Sequence, residues 1–191
     1  YEAFVGDSSL PRSIYEIEGS RTCAIEISSL SKTAGFTGMR CGYTVVPQDL
    51  VRAGVNLNSA WKRSRTTKTN GVSYITQRGA QAALSDEGLA QCMANISLYK
   101  ENAKVLMAAL DSCGIKYFGG ENAPYIWLCC PGGMSSWQFF DYLLEKAAVV
   151  GVPGEGFGKC GEGFFRLSAF GDPKETAEAA KRLIELFGKE K

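Results

Sequence analysis

Apolar residues recur along this chain at two different spacings. From Leu89 onward a single stripe of Leu89, Met93, Ile96, Tyr99, Ala103, Leu106 and Leu110 repeats at three- and four-residue steps. That is the spacing of one face of a long α-helix. Ser85 precedes it as an N-cap, Asp86 and Glu87 complement the helix dipole in the first turn, and Gly114 closes it. Packing alone accounts for such a stripe, which requires no ligand. Gly71 to Leu84 carry a helical pattern, and Asp49 to Val55 predict a short helix. Ser135 caps a helix carrying Trp137, Phe140, Leu143 and Leu144. Asp172, with Pro173 at the first helical position, opens a last helix that turns Ala180, Leu183, Ile184 and Phe187 inward.

The other texture is short and extended. Cys23 to Ser28, Cys41 to Val46 (stopped by Pro47), Ile115 to Phe118, Tyr125 to Cys130 and Phe164 to Phe170 read as strands, with a brief one at Ala147 to Val150. The polar run Lys62 to Thr69 reads as an exposed connection with a solvated charged face. Strands and helices alternate, which argues an α/β arrangement. A domain boundary is expected near Ser85, dividing the chain into residues 1–84 and 85–191. No internal repeat or low-complexity segment interrupts it.

Composition narrows the chemistry. The chain has 191 residues, 45% hydrophobic and 21% charged, which suits a globular protein of one or two domains. Its net charge of +1 provides no electrostatic footprint for nucleic acid or an acidic membrane. No apolar run is long enough to span a bilayer. There is no histidine. Ser-His-Asp and Cys-His hydrolysis and histidine-ligated metals are therefore excluded within this chain, and no metal is expected. The 7 cysteines show no paired ligand spacing. They read as reduced, mostly buried thiols, so a cytoplasmic setting is expected. The chain opens at Tyr1 rather than methionine, in what reads as the end of a strand. A piece of a longer protein is expected.

Two sites can carry chemistry. In Ser29-Leu30-Ser31-Lys32-Thr33-Ala34-Gly35-Phe36-Thr37-Gly38-Met39-Arg40, one lysine stands between small hydroxyl residues directly after an apolar strand. A lysine is nucleophilic toward an aldehyde when part of it is neutral, as near a cation or in a desolvated pocket. Arg40 adds positive charge and a bidentate grip for phosphate, Ser29 and Ser31 add hydroxyls, and Gly35 and Gly38 allow a tight turn. A lone surface lysine is the plain alternative, and the spacing argues against it. In the strand Phe164 to Phe170, alternation puts Phe164, Arg166 and Ser168 on one face and Phe165, Leu167 and Ala169 on the other. An arginine in so apolar a strand needs an anionic partner, either a structural ion pair or a substrate carboxylate. On the residues alone both remain open. The loop Pro153 to Gly158 reads as a plain glycine-rich turn.

Together these segments resemble the fold-type I, pyridoxal-phosphate-dependent class I/II aminotransferases, and among them the LL-diaminopimelate aminotransferases. The matching stretches are Pro11-Arg12-Ser13-Ile14-Tyr15-Glu16-Ile17, Ser31 to Gly38, Asn122-Ala123-Pro124-Tyr125, Ser135-Ser136-Trp137, and Gly161 through Arg166 to Gly171. The resemblance implies an α/β fold comprising the last part of the large cofactor domain and the small C-terminal domain. It implies pyridoxal 5'-phosphate as cofactor, with Lys32 as the Schiff-base lysine that also moves the substrate's α-proton. By the same resemblance Ser29, Ser31 and Arg40 would hold the phosphate, Tyr1 would hydrogen-bond the cofactor's phenolic oxygen, and Arg166 would clamp the substrate carboxylate. Asn70 would reach the cofactor and substrate in a partner subunit's site. The implied activity exchanges an amino group between LL-diaminopimelate and 2-oxoglutarate in lysine biosynthesis, in a homodimer acting on amino and 2-oxo acids. The family's aspartate facing the pyridine nitrogen, its ring-stacking tyrosine and its first substrate-binding segments would lie before Tyr1. The 191 residues alone are therefore expected to be inactive and to bind cofactor poorly. Two alternatives stand beside this reading: another class I aminotransferase with an aspartate or aromatic substrate, and a non-catalytic sensor module that binds the cofactor without turnover.

Overall fold

The first unit of the computed structural model, which describes residues 1–188, covers Tyr1–Ala94; the second continues from Asn95. In the first unit, strand β1 (Glu26–Ser29) pairs antiparallel with β2 (Gly42–Val45), Glu26 opposite Val45 and Ser29 opposite Gly42. Between them lies a single helical turn, α1 (Leu30–Thr33). Phe4, Leu30, Val46 and Leu50 are its most buried large apolar residues.

Residues 49–55 do not form the expected short helix. Val51–Arg52 (β3) and Val55–Asn56 (β4) make a two-residue hairpin instead. The turn residues Ala53 and Gly54 both have positive φ, 49° and 74°, the signature of a hairpin turn whose twist suits the strands. Two valines and a central glycine favour that over a helical turn. The polar run from Lys62 is likewise not a connection. It belongs to α2 (Leu57–Lys68), whose N-cap Asn56 accepts from the Ser59 amide at 2.9 Å. The helix has no buried residue, so its face is solvated as expected. Arg65 lies over the Trp61 ring at 5.4 Å, an i,i+4 pair that packing patterns do not reveal. Helix α3 (Tyr74–Ala83) follows, and then α4 (Asp86–Ser112), in which the division between units falls. Ser85 Oγ accepts from the Gly88 amide at 3.2 Å, as an N-cap does.

The second unit is a two-layer structure. Strands β5 (Tyr117–Gly119), β6 (Tyr125–Cys129), β7 (Val152–Pro153) and β8 (Phe164–Ser168) form one antiparallel sheet in the order β5-β6-β8-β7. Its inner face supplies Ile126, Leu128, Phe165 and Leu167. These pack with Leu106 and Leu110 of α4, Phe139 and Leu143 of α5 (Ser136–Ala147) and Leu183 of α6 (Pro173–Phe187). Phe139 is fully buried in the core and Phe140 packs partly buried against it, while Ile184, expected to turn inward, stays exposed. The strand expected at Ala147 to Val150 is absent: α5 runs to Ala147, Ala148 turns left-handed at φ 50°, and β7 starts at Val152. No described helix is long and apolar enough to cross a membrane.

Candidate active site

The lysine segment is shaped by what lies beneath it. Leu30 and Thr33 of α1 are buried, which leaves Ser31 and Lys32 half-buried on the other side of the turn. Ser29 ends β1 and caps α1: its Oγ accepts from the Ser31 amide at 3.1 Å and lies 3.0 Å from Ser31 Oγ. The Leu30 amide donates to the Cys41 carbonyl at 3.0 Å, and Thr37 Oγ1 to the Ser31 carbonyl at 3.1 Å, closing the loop back on the turn. Tyr1, Ser29, Ser31 and Lys32 line one cavity of about 680 Å³ together with Arg12 and Glu26. An amine, two hydroxyls and a phenol thus meet at one surface. That donor set fits a phosphate-bearing aldehyde such as pyridoxal phosphate, with the amine for the carbonyl carbon and hydroxyls for phosphate oxygens.

Glu26 and Arg12 line the cavity beside the residues that the local pattern nominates. Glu26 accepts from Ser13 Oγ at 2.6 Å and from the Ile14 amide at 3.1 Å. The Tyr15 hydroxyl donates to the Val45 carbonyl at 2.9 Å and accepts from the Glu26 amide at 3.1 Å. Segment 12–15 is thereby bound to the β1–β2 pair beside the lysine turn. One signal was available: Ser13 and Glu16 have capping-box spacing and form that box.

Two expected site residues of the first unit do not line this cavity. Arg40 is exposed, with backbone φ 58°, and its Nη1 donates to the Thr37 carbonyl at 2.6 Å. The loop's own carbonyl therefore holds the guanidinium, and Arg40 does not line the cavity. Asn70 is exposed in the connection between α2 and α3, beside Gly71 at φ 81°, and does not line it either.

Arg166 lies in the second unit, at the centre of β8. Phe165 and Leu167 are buried in the core on one face, and Arg166 takes the other, as alternation predicts. Its neighbours across the ladder are Trp127 and Val152. The guanidinium carbon sits 4.4 Å from the Tyr125 ring centroid and 4.7 Å from that of Phe157. Its Nε is buried and has no hydrogen-bond partner among the described residues. A buried donor left unmade is expensive, so an acceptor would be favoured at this position, and no salt bridge among the described residues includes Arg166. Beyond β6, burial first, then the charges of Glu162 and Cys129, push the Cys130 thiol up to about 11. It is a protonated packing group at neutral pH.

The family model for aminotransferase class I and II matches residues 1–183. An LL-diaminopimelate aminotransferase of Bacteroides thetaiotaomicron is 53% identical over 188 residues, covering 96% of this chain and 46% of the relative. One of Prochlorococcus marinus is 53% identical over 191 residues, covering 97% and 47%. The solved structure of L,L-diaminopimelate aminotransferase from Chlamydomonas reinhardtii superposes with a TM-score of 0.91 at 44% identity, covering 98% of this chain and 46% of that one. The chain spans about half the length of the curated relatives it matches. The fold is that of the pyridoxal-phosphate-dependent aminotransferases.

Proposed function

This chain belongs to the class I and II aminotransferase family, and we propose that it serves an enzyme exchanging the amino group of LL-diaminopimelate with 2-oxoglutarate in lysine biosynthesis. One observation carries the reading: Lys32, Ser29, Ser31 and Tyr1 line the same cavity. The 53% identity to enzymes of that name supports this substrate. Pyridoxal 5'-phosphate, when bound, supplies the electron sink for breaking the bond at the substrate α-carbon. The Lys32 amine would hold the cofactor at its aldehyde carbon and, once the substrate amine has displaced it, would be free to move the proton at the substrate α-carbon. The Ser29 and Ser31 hydroxyls would take phosphate oxygens, and the Tyr1 phenol would donate to the cofactor's ring oxygen. Arg40 would join them on giving up its bond to the Thr37 carbonyl. Arg166 takes the substrate carboxylate through charge-assisted bonds. Asn70 serves the partner subunit's site in a cytoplasmic homodimer.

The test uses the intact protein that carries this chain. Glutamate formation from LL-diaminopimelate and 2-oxoglutarate, lost in Lys32→Ala together with the cofactor's visible absorbance, is the expected result. Turnover of aspartate or an aromatic amino acid with none of LL-diaminopimelate overturns the substrate. Cofactor absorbance without any turnover overturns catalysis and leaves a binding module.

A further inference from the structure

Two aromatic rings, Tyr125 and Phe157, lie against the Arg166 guanidinium, and they are held by different means. Tyr125 belongs to the sheet, and the Phe170 ring, 5.8 Å away, packs against it edge-on. Phe157 lies outside the sheet, in a short helical turn over Gly154–Phe157. It is 53% exposed, yet it meets Arg166 and also packs edge-on against Trp127 at 5.5 Å. A half-exposed phenyl held over a cation in this way is not explained by core packing.

The loop that carries Phe157 is closed by backbone. A Cβ on Gly161 would stand 2.0 Å from the Gly154 carbonyl oxygen, and one on Gly154 would stand 2.2 Å from that of Gly161. Here the two sides of the loop touch glycine to glycine. Gly158 turns the loop at φ 115°, which side chains rarely adopt. Its far end is stapled by Ser136, a fully buried residue of α5 whose Oγ accepts from the Gly163 amide at 3.1 Å and donates to the Phe164 carbonyl at 2.9 Å. A loop closed this tightly presents Phe157 at one place.

Resting on the reading of Arg166 as the carboxylate site, we infer that Phe157 is a positioning residue for that arginine. Its ring and that of Tyr125 both pack against the guanidinium and restrict how the cation can turn, so its N–H fork is held for bidentate binding of a carboxylate. The Phe157 ring also shields the cation from water on the loop side. It acts on the bound substrate and the transition state alike, because the carboxylate does not react. Its loss therefore raises KM and leaves kcat in place.

Steady-state kinetics of the intact holoenzyme test this. Phe157→Ala raises KM for the amino acid and for the 2-oxo acid by about 2- to 30-fold, the range of a cation–π contact, with kcat kept. Phe157→Tyr, which restacks, returns KM to the parent value. Arg166→Lys is the control for the underlying reading. If Arg166→Lys raises KM and Phe157→Ala does not, this inference falls and the carboxylate site stands. If Arg166→Lys leaves KM unchanged, the carboxylate reading itself falls. A Phe157→Ala variant that loses kcat at constant KM also overturns the positioning role.

Discussion

The side chain of Asn102 on α4 holds the exit of β8: its Nδ2 donates to the Ala169 carbonyl at 3.0 Å and, beside it, to the Gly171 carbonyl at 2.9 Å. Asn102 is 3% exposed. The amide thus satisfies two carbonyls immediately after the strand that carries Arg166, where the chain leaves the sheet. Asn102→Leu leaves both without that donor, and a buried acceptor left unmade costs about 1–3 kcal/mol. Denaturant unfolding of the variant should show a loss of about 2 kcal/mol or more.

The Gly154–Gly161 contact makes a second prediction. Gly154→Ala puts a methyl where the Gly161 carbonyl already is. The backbone must separate, at a cost of about 1–3 kcal/mol for overpacking. A lowered Tm is expected, with a change in the emission of Trp127, which packs on Phe157. Gly156→Ala, where a Cβ meets nothing within 4 Å, should leave both readings near the parent values.

The hairpin at residues 51–56 predicts a gain. Ala53 holds φ 49° in a turn whose next residue is already glycine. Asn-Gly is the favoured pair for this turn, so Ala53→Asn should stabilise by about 0.5–1 kcal/mol. Ala53→Val, β-branched at positive φ, should destabilise. Thermal unfolding of the two variants side by side checks the sign.

Cys130 predicts a pH effect. Its thiol is raised from 9.0 to about 11, so folding favours the neutral form. That contribution is whole below about pH 9 and is lost as pH rises through about 11. Cys130→Ser does not titrate there, and its stability should fall less across that window. Thiol alkylation near neutral pH should label the exposed Cys23 and Cys160 well before Cys130. Early labelling of Cys130 would contradict its protonated, partly buried state.

The long helix is legible in the sequence because its stripe, from Leu89 to Leu110, keeps one spacing for about six turns, and Ser85 and Gly114 mark its ends. The face assignment of β8 was legible for the same reason: alternation is a property of the strand itself. The hairpin at Val51 to Asn56 was missed because two-residue strands carry no period, and Ala53 is an unusual residue for a left-handed turn. Helix α2 was missed because it buries nothing, so its helicity rests on the Asn56 cap and surface pairs such as Trp61 with Arg65.

Residue types and short spacings sufficed to nominate Lys32, Ser29, Ser31 and Arg166, because an amine, a hydroxyl pair and an arginine in an apolar strand each imply chemistry locally. Long-range contacts then determined which groups share a surface. Glu26 and Arg12 joined Lys32 through a ladder register and a serine–carboxylate bond, and Arg40 went to the Thr37 carbonyl. Phe157 reached Arg166 through a glycine contact between residues seven apart. Such meetings depend on backbone paths that no local pattern encodes.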